Sequence, residues 1–170
     1  MKWILIPVMA LVAIVILIAI IGMTLPQAHL ASRRARFRQT PQALFEVIAG
    51  PVDWRSNVTR IEQLPSINGR QRWKEFDQRG DGVTYELVDS TPPLRRITRI
   101  ADDTLPFGGS WTLEVAPAPG GSTLRITERG EVKNPIFRFV SRFITGHHAS
   151  IDTYMADLAK RFNEHLQIEE

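Results

Sequence analysis

The sequence predicts an α+β fold: a curved antiparallel β-sheet around a long C-terminal helix, preceded by one transmembrane helix. Three observations predict it. Between residues 59 and 132, short runs of alternating apolar and polar residues are separated by turn residues such as Asn68-Gly69 and Gly80-Asp81-Gly82. After Asn134-Pro135 the apolar spacing changes from two to three and four residues, and it holds to Phe162. From Trp3 to Leu25 there is no charged residue. Consecutive strands joined by hairpins pair antiparallel, and a sheet with one apolar face needs a helix to cover it.

The apolar segment comes first. Its 23 residues give about 34 Å of helix, enough for a hydrocarbon core of about 30 Å. Pro7 lies in the first turns, where it does little harm. A cleaved signal peptide is the rival reading. Its apolar region is normally shorter, about 7–15 residues, and no inviting small-x-small cleavage site follows here. An uncleaved single-pass anchor over residues 3–25 is therefore expected. Arg33, Arg34, Arg36 and Arg38 follow it, and positive-inside counting favours the soluble domain on the cytoplasmic side; the plainer reading is that these arginines belong to a folded strand and say little about insertion.

Residues 29–38 read as a strand with a basic outer face. Thr40 caps a short helix that begins at Pro41 and stops at Gly50-Pro51, and residues 52–57 suggest a second helical turn carrying Trp54. Strands follow at 59–64 and 71–78, then at Val83-Tyr85-Leu87 and 94–101, after the break at Pro92-Pro93. Asp102 to Gly109 reads as a loop. Trp111-Leu113-Val115 and Leu124-Ile126 mark the last two strands, the latter ending near Val132. Asn134 caps the final helix with Pro135 at its first position. Ile136, Val140, Phe143, Ile144, His147, Ile151, Tyr154, Met155, Leu158 and Phe162 form one stripe, with Gly146 as a possible bend. The domain division is an anchor at 1–28, a domain at 29–166 and a short acidic tail at 167–170.

Composition excludes several chemistries. The 170 residues contain no cysteine, so disulfides, thiolate metal sites and cysteine nucleophiles are ruled out. Net charge is only +3, and the sequence isoelectric point of about 9.7 marks a small arginine excess, with no case for nucleic acid. No G-x-S-x-G elbow or phosphate-binding glycine loop is present. His147-His148 point about 100° apart on a helix, which suits no single metal ion. No metal and no cofactor are expected.

Two residues are weak catalytic candidates. Glu128 shares the parity of Leu124 and Ile126, so an unbulged strand points it inward, where burial raises a carboxyl pKa. His147 lies on the apolar stripe. The plainer readings are a solvent-facing or arginine-paired glutamate and a hydrogen-bonded core histidine. The aromatics carry more. Phe45, Trp54, Trp73, Tyr85, Trp111, Phe143 and Tyr154, with Leu87, Leu113 and His147, are the candidate lining of a space between sheet and helices. The plainer reading of each aromatic is ordinary core. Arg95, Arg96 and Arg99 either meet anionic headgroups or form a solvated sheet face.

The element order, the Trp54 region, the segment Leu105-Pro106-Phe107-Gly108-Gly109-Ser110-Trp111-Thr112 and the helix opening Asn134-Pro135-Ile136-Phe137-Arg138-Phe139-Val140-Ser141-Arg142-Phe143 resemble the START/Bet v 1-like superfamily, also called SRPBCC or polyketide cyclase/dehydrase-like. The resemblance covers roughly residues 30–165. It implies a helix-grip fold with an internal pocket for hydrophobic ligands, and it implies no one chemistry. The expected function is a membrane-anchored domain that binds a lipid-like or other hydrophobic small molecule. The alternatives are a cyclase-like or hydrolytic cavity enzyme using Glu128 or His147, and an anchored interaction domain without ligand.

Overall fold

In the computed structural model, which describes residues 2–169, an apolar helix leads into one sheet and three further helices. Helix α1 (Lys2–Thr24) is long and apolar enough to cross a membrane, and the rest of the protein leaves it almost uncovered. Strand β1 (Ala28–Phe37) follows, then helix α2 (Pro41–Ala49) and six more strands: β2 (Arg60–Ile67), β3 (Arg70–Phe76), β4 (Gly82–Thr91), β5 (Arg95–Ile100), β6 (Phe107–Ala118) and β7 (Gly121–Val132). Helix α3 (Pro135–Val140), a π turn (Ser141–Thr145), helix α4 (Ala149–Arg161) and strand β8 (Gln167–Glu169) complete the chain. The eight strands form one antiparallel sheet in the order β2-β3-β4-β5-β6-β7-β1-β8.

Local chemistry sets the element ends. Thr40 Oγ1 accepts from the Ala43 N–H and Pro41 opens α2. Asn134 Oδ1 accepts from the N–H groups of Ile136 and Phe137, with Pro135 again at the first helical position. Asn68 and Gly69, both at positive φ (52° and 76°), turn β2 into β3.

The core occupies only half of the sheet. Phe37, Leu44, Leu124, Ile126, Ile151, Met155 and Leu158 are fully buried where α2 and α4 cover β1, β6 and β7. Burying each such side chain contributes about 1.5–3 kcal/mol. No described residue of β2 to β5 belongs to this cluster. The inward face of those strands stays free of helix packing, and this creates the site.

Four features differ from the sequence reading. Residues 52–57 form turns, with no helix. Phe107 to Gly109 belong to β6, because Gly109 faces Gly130 across the ladder and two glycines let the backbones pair at φ +136°. The long terminal helix is broken: the π turn and Gly146 (φ 74°) turn its first half away from the stripe that Ile151, Tyr154, Met155 and Leu158 continue. Residues 167–169 pair with β1 as a strand, while Glu170 lies outside the described residues.

A side chain at Gly109 would collide with the Arg129 carbonyl, in a φ region unfavourable to L-residues. Gly109→Ala is expected to lower stability by about 1–3 kcal/mol, read from urea unfolding of the detergent-solubilised chain. An unchanged midpoint would show that the strand adapts without strain.

Candidate ligand cavity

Between the uncovered half of the sheet and α4 lies a cavity of about 430 Å³, within the usual range for a small-molecule site. Register decides which side chains enter it. Trp73 stands opposite Tyr85, Tyr85 opposite Ile100, Thr98 opposite Trp111, and Trp111 opposite Glu128. One parity therefore carries a row of aromatic and polar groups across β3 to β7 on the concave face.

Seven candidates from the sequence meet here: Trp73, Tyr85, Trp111, Leu113, Glu128, His147 and Tyr154 all line the cavity. Four do not. Phe45 is buried in the core under α2. Trp54 lies behind Tyr154, edge-to-face at 5.0 Å. Leu87 is half-buried on β4, beside the register shift between Leu87 and Asp89, and does not reach the lining. Phe143 is 59% exposed, because the π turn swings it outward.

The deep wall is polar where the sequence suggested only aromatics. Glu75, on the same face of β3 as Trp73, is 7% exposed. Its Oε2 accepts from Arg55 Nη1 at 2.7 Å and its Oε1 from Trp73 Nε1 at 2.8 Å. The Arg55 guanidinium also sits 5.5 Å from the Tyr154 ring centroid. Tyr154 packs edge-on against Trp111 at 5.5 Å, and Tyr85 stacks on Trp73 at 5.9 Å. Burial pushes both phenols, Tyr85 and Tyr154, up to about 12, so both remain protonated donors at neutral pH.

Arg96 also lines the cavity, opposite Leu113, while its neighbours divide between faces. Arg95 pairs with Asp89 on the other side of the sheet, and Arg99 joins Arg70 on Glu86. Those two arginines hold the Glu86 carboxyl below the usual carboxylate range. Burial lowers the pKa of Arg96.

A second polar group lies between β1, β7 and the start of α4. His29 stacks on His147 with ring centroids 4.2 Å apart. The His29 imidazole occupies the space above Gly130, which lies directly opposite in register. Its Nε2 is 3.4 Å from Glu128 Oε1, and Ser150 Oγ donates to Glu128 Oε2 at 3.1 Å. Ser141 Oγ and His147 Nδ1 are 3.0 Å apart. Burial, then the neighbouring His29 and Arg142 side chains, lower the His147 pKa. This group of imidazoles, hydroxyls and a carboxylate stands at the cavity wall. Among the described residues, no three His, Asp or Glu side chains gather as metal ligands.

Sequence reasoning missed His29, Arg55 and Glu75, and left Arg96 on the wrong surface. The available signal was parity: Glu75 is two residues from Trp73, and Arg96 two from Thr98 and four from Ile100.

A curved antiparallel sheet closed by a terminal helix over an internal cavity defines a helix-grip domain. Residues 30–163 match the family described as polyketide cyclase/dehydrase and lipid transport, and the chain belongs to that family. Solved structures share the fold. Protein MLL2253 from Mesorhizobium loti superposes with a TM-score of 0.61 at 12% identity, over 79% of this chain and 97% of that one. Norcoclaurine synthase from Thalictrum flavum gives 0.61 at 12% identity, over 86% and 92%. The di-domain aromatase/cyclase StfQ of steffimycin biosynthesis gives 0.60 at 10% identity, over 81% of this chain and 53% of that one. No curated protein sequence matches.

Removing one partner of a buried ion pair strands the other charge. Arg55→Met is expected to destabilise the protein by about 3–5 kcal/mol, and adding Glu75→Gln to restore much of the loss. A double variant as unstable as the single one would contradict the pairing. The check is a double-mutant cycle by urea unfolding.

Proposed function

We propose that the protein is a membrane-tethered binding domain for a lipid-like or other hydrophobic small molecule. The observation that carries this is the cavity itself. Tyr85, Trp111, Leu113 and Tyr154 face an unfilled volume, Leu113 and Tyr154 from the edge of the core. Apolar walls supply affinity and a few polar groups orient the ligand. Family membership supports the same reading.

The tether rests on α1, with residues 1–28 as anchor and 29–166 as ligand domain. The end of α1 is fastened to α3: Arg138 Nη1 donates to the Leu25 carbonyl at 2.8 Å, and Gly22 lies against the Pro135 backbone. Ile136, Phe137, Phe143 and Ile144 are exposed on α3 and the π turn. The same π turn contributes Ser141 and Thr145 to the cavity wall. A helix end fixed beside an apolar rim would hold the cavity at the bilayer surface, where a hydrophobic ligand is concentrated. The arginines after α1 favour the cytoplasmic side.

Catalysis is a second reading, favoured by Glu128 and His147 both facing the cavity. It requires that ligand recovered from the Glu128→Gln or His147→Gln protein differ chemically from that recovered from the native protein. Identical ligand from all three removes it.

The binding reading is tested on the full chain, solubilised from membranes in a neutral detergent. Native mass spectrometry is expected to show one retained hydrophobic molecule per chain, and Thr98→Trp, which fills the cavity, to abolish retention. The chain itself is expected to stay in the membrane fraction through alkaline carbonate washing. An empty native protein with nothing in its organic extract would overturn ligand binding. Release by carbonate would overturn the tether.

A further inference from the structure

We infer that the cavity is built for an amphiphile with an oxyanion head group, a carboxylate or a phosphate, seated on the guanidinium of Arg96. This inference rests on the ligand-binding reading and specifies its ligand.

Charge pairing inside the cavity carries it. Arg55, Arg96 and Glu75 come together at the deep wall. Glu75 is fully engaged, with one oxygen on Arg55 Nη1 at 2.7 Å and the other on Trp73 Nε1 at 2.8 Å. Of the other two lining carboxylates, Glu128 is held by His29 and Ser150, and Glu131 is exposed on β7. Glu86 takes Arg70 and Arg99. Among the described residues, Arg96 has neither a carboxylate partner nor a hydrogen-bond acceptor. The Trp73 ring centroid lies 5.7 Å from its Cζ, and Tyr154 and Glu75 are near enough to act on its charge.

A half-buried guanidinium with no carboxylate in direct contact is unfavourable, and leucine or threonine, the residues around it on this face, would avoid the cost. An arginine here gains its partner when an anion enters. Its planar fork matches the two oxygens of a carboxylate or phosphate. The protonated phenols of Tyr85 and Tyr154 border the same volume, and neither is hydrogen-bonded to a described protein group. Beside this polar end Ile100, Phe107, Trp111, Leu113 and Val132 supply apolar wall, with the His29, Glu128 and His147 group to one side. A guanidinium without an ion-pair partner next to apolar wall fits a head group and a hydrocarbon tail.

The test uses the full chain in neutral-lipid nanodiscs, with Trp3→Phe so that emission reports Trp54, Trp73 and Trp111. Dodecanoic acid, dodecyl phosphate and dodecanol are titrated separately. Either acid, or both, is expected to bind at least about tenfold tighter than the alcohol, as for one charge-assisted contact. The two acids separate a carboxylate head from a phosphate head. Arg96→Gln is expected to erase the preference by weakening the acids far more than dodecanol, and Arg96→Lys to retain part of it. Equal binding of all three probes to the native protein would overturn the oxyanion seat and leave the hydrophobic cavity standing. Binding of none would overturn both. The comparison of probes on the native protein decides the matter even if Arg96→Gln fails to fold.

Discussion

The carboxylate of Glu75 is the interaction on which the cavity depends. It is almost wholly buried, and both of its oxygens are engaged, by Arg55 and by the Trp73 indole. Through Arg55 it ties the turns after α2 to β3, across a stretch of sheet that no helix covers. Through Trp73 it fixes the ring on which Tyr85 stacks. It also neutralises one of two neighbouring cations and leaves Arg96 over. A buried ion pair of this kind contributes little net stability compared with an apolar pair. Its value lies in holding polar groups in place without filling the space between them.

That division of labour runs through the molecule. Hydrophobic burial is concentrated where α2 and α4 cover β1, β6 and β7. The opposite half of the sheet is held by its ladder hydrogen bonds, by the ion pairs on its outer face and by Glu75 within. Tyr154 joins the halves: it belongs to the core cluster, touches Trp54 and Trp111, and lines the cavity. A fold with a single uniform core would have no room for a ligand.

Much of this was legible in the sequence. Thr40-Pro41 and Asn134-Pro135 announced two helix starts, Asn68-Gly69 a hairpin, and strict alternation placed Tyr85, Trp111 and Leu113 on one face. The inward turn of Glu128 followed from parity with Ile126. What escaped depends on distant partners. Glu75 looks solvated within Gln71-Arg72-Trp73-Lys74-Glu75 until Arg55, twenty residues earlier, is brought against it. Arg96 sits among Arg95 and Arg99, and its parity with Thr98 and Ile100 points inward only once the register with Leu113 and Trp111 is known. The break at Gly146 moved Phe143 from the expected lining to the surface, because a three-to-four spacing continues across a π turn while the helical face does not. Gln167-Ile168-Glu169 is too short to carry any period.

Photo-crosslinking in the membrane tests the cavity as the ligand's seat most directly. A fatty acid with a diazirine in mid-chain is incorporated into vesicles holding the full-length protein, irradiated, and the adducts mapped by peptide mass spectrometry. If the tail lies between sheet and helix, adducts fall on the β6 peptide with Trp111 and Leu113 and on the α4 peptide with Tyr154, and excess unlabelled fatty acid suppresses them. Adducts confined to α1 and the exposed Phe143-Ile144 turn, insensitive to competitor, would contradict it.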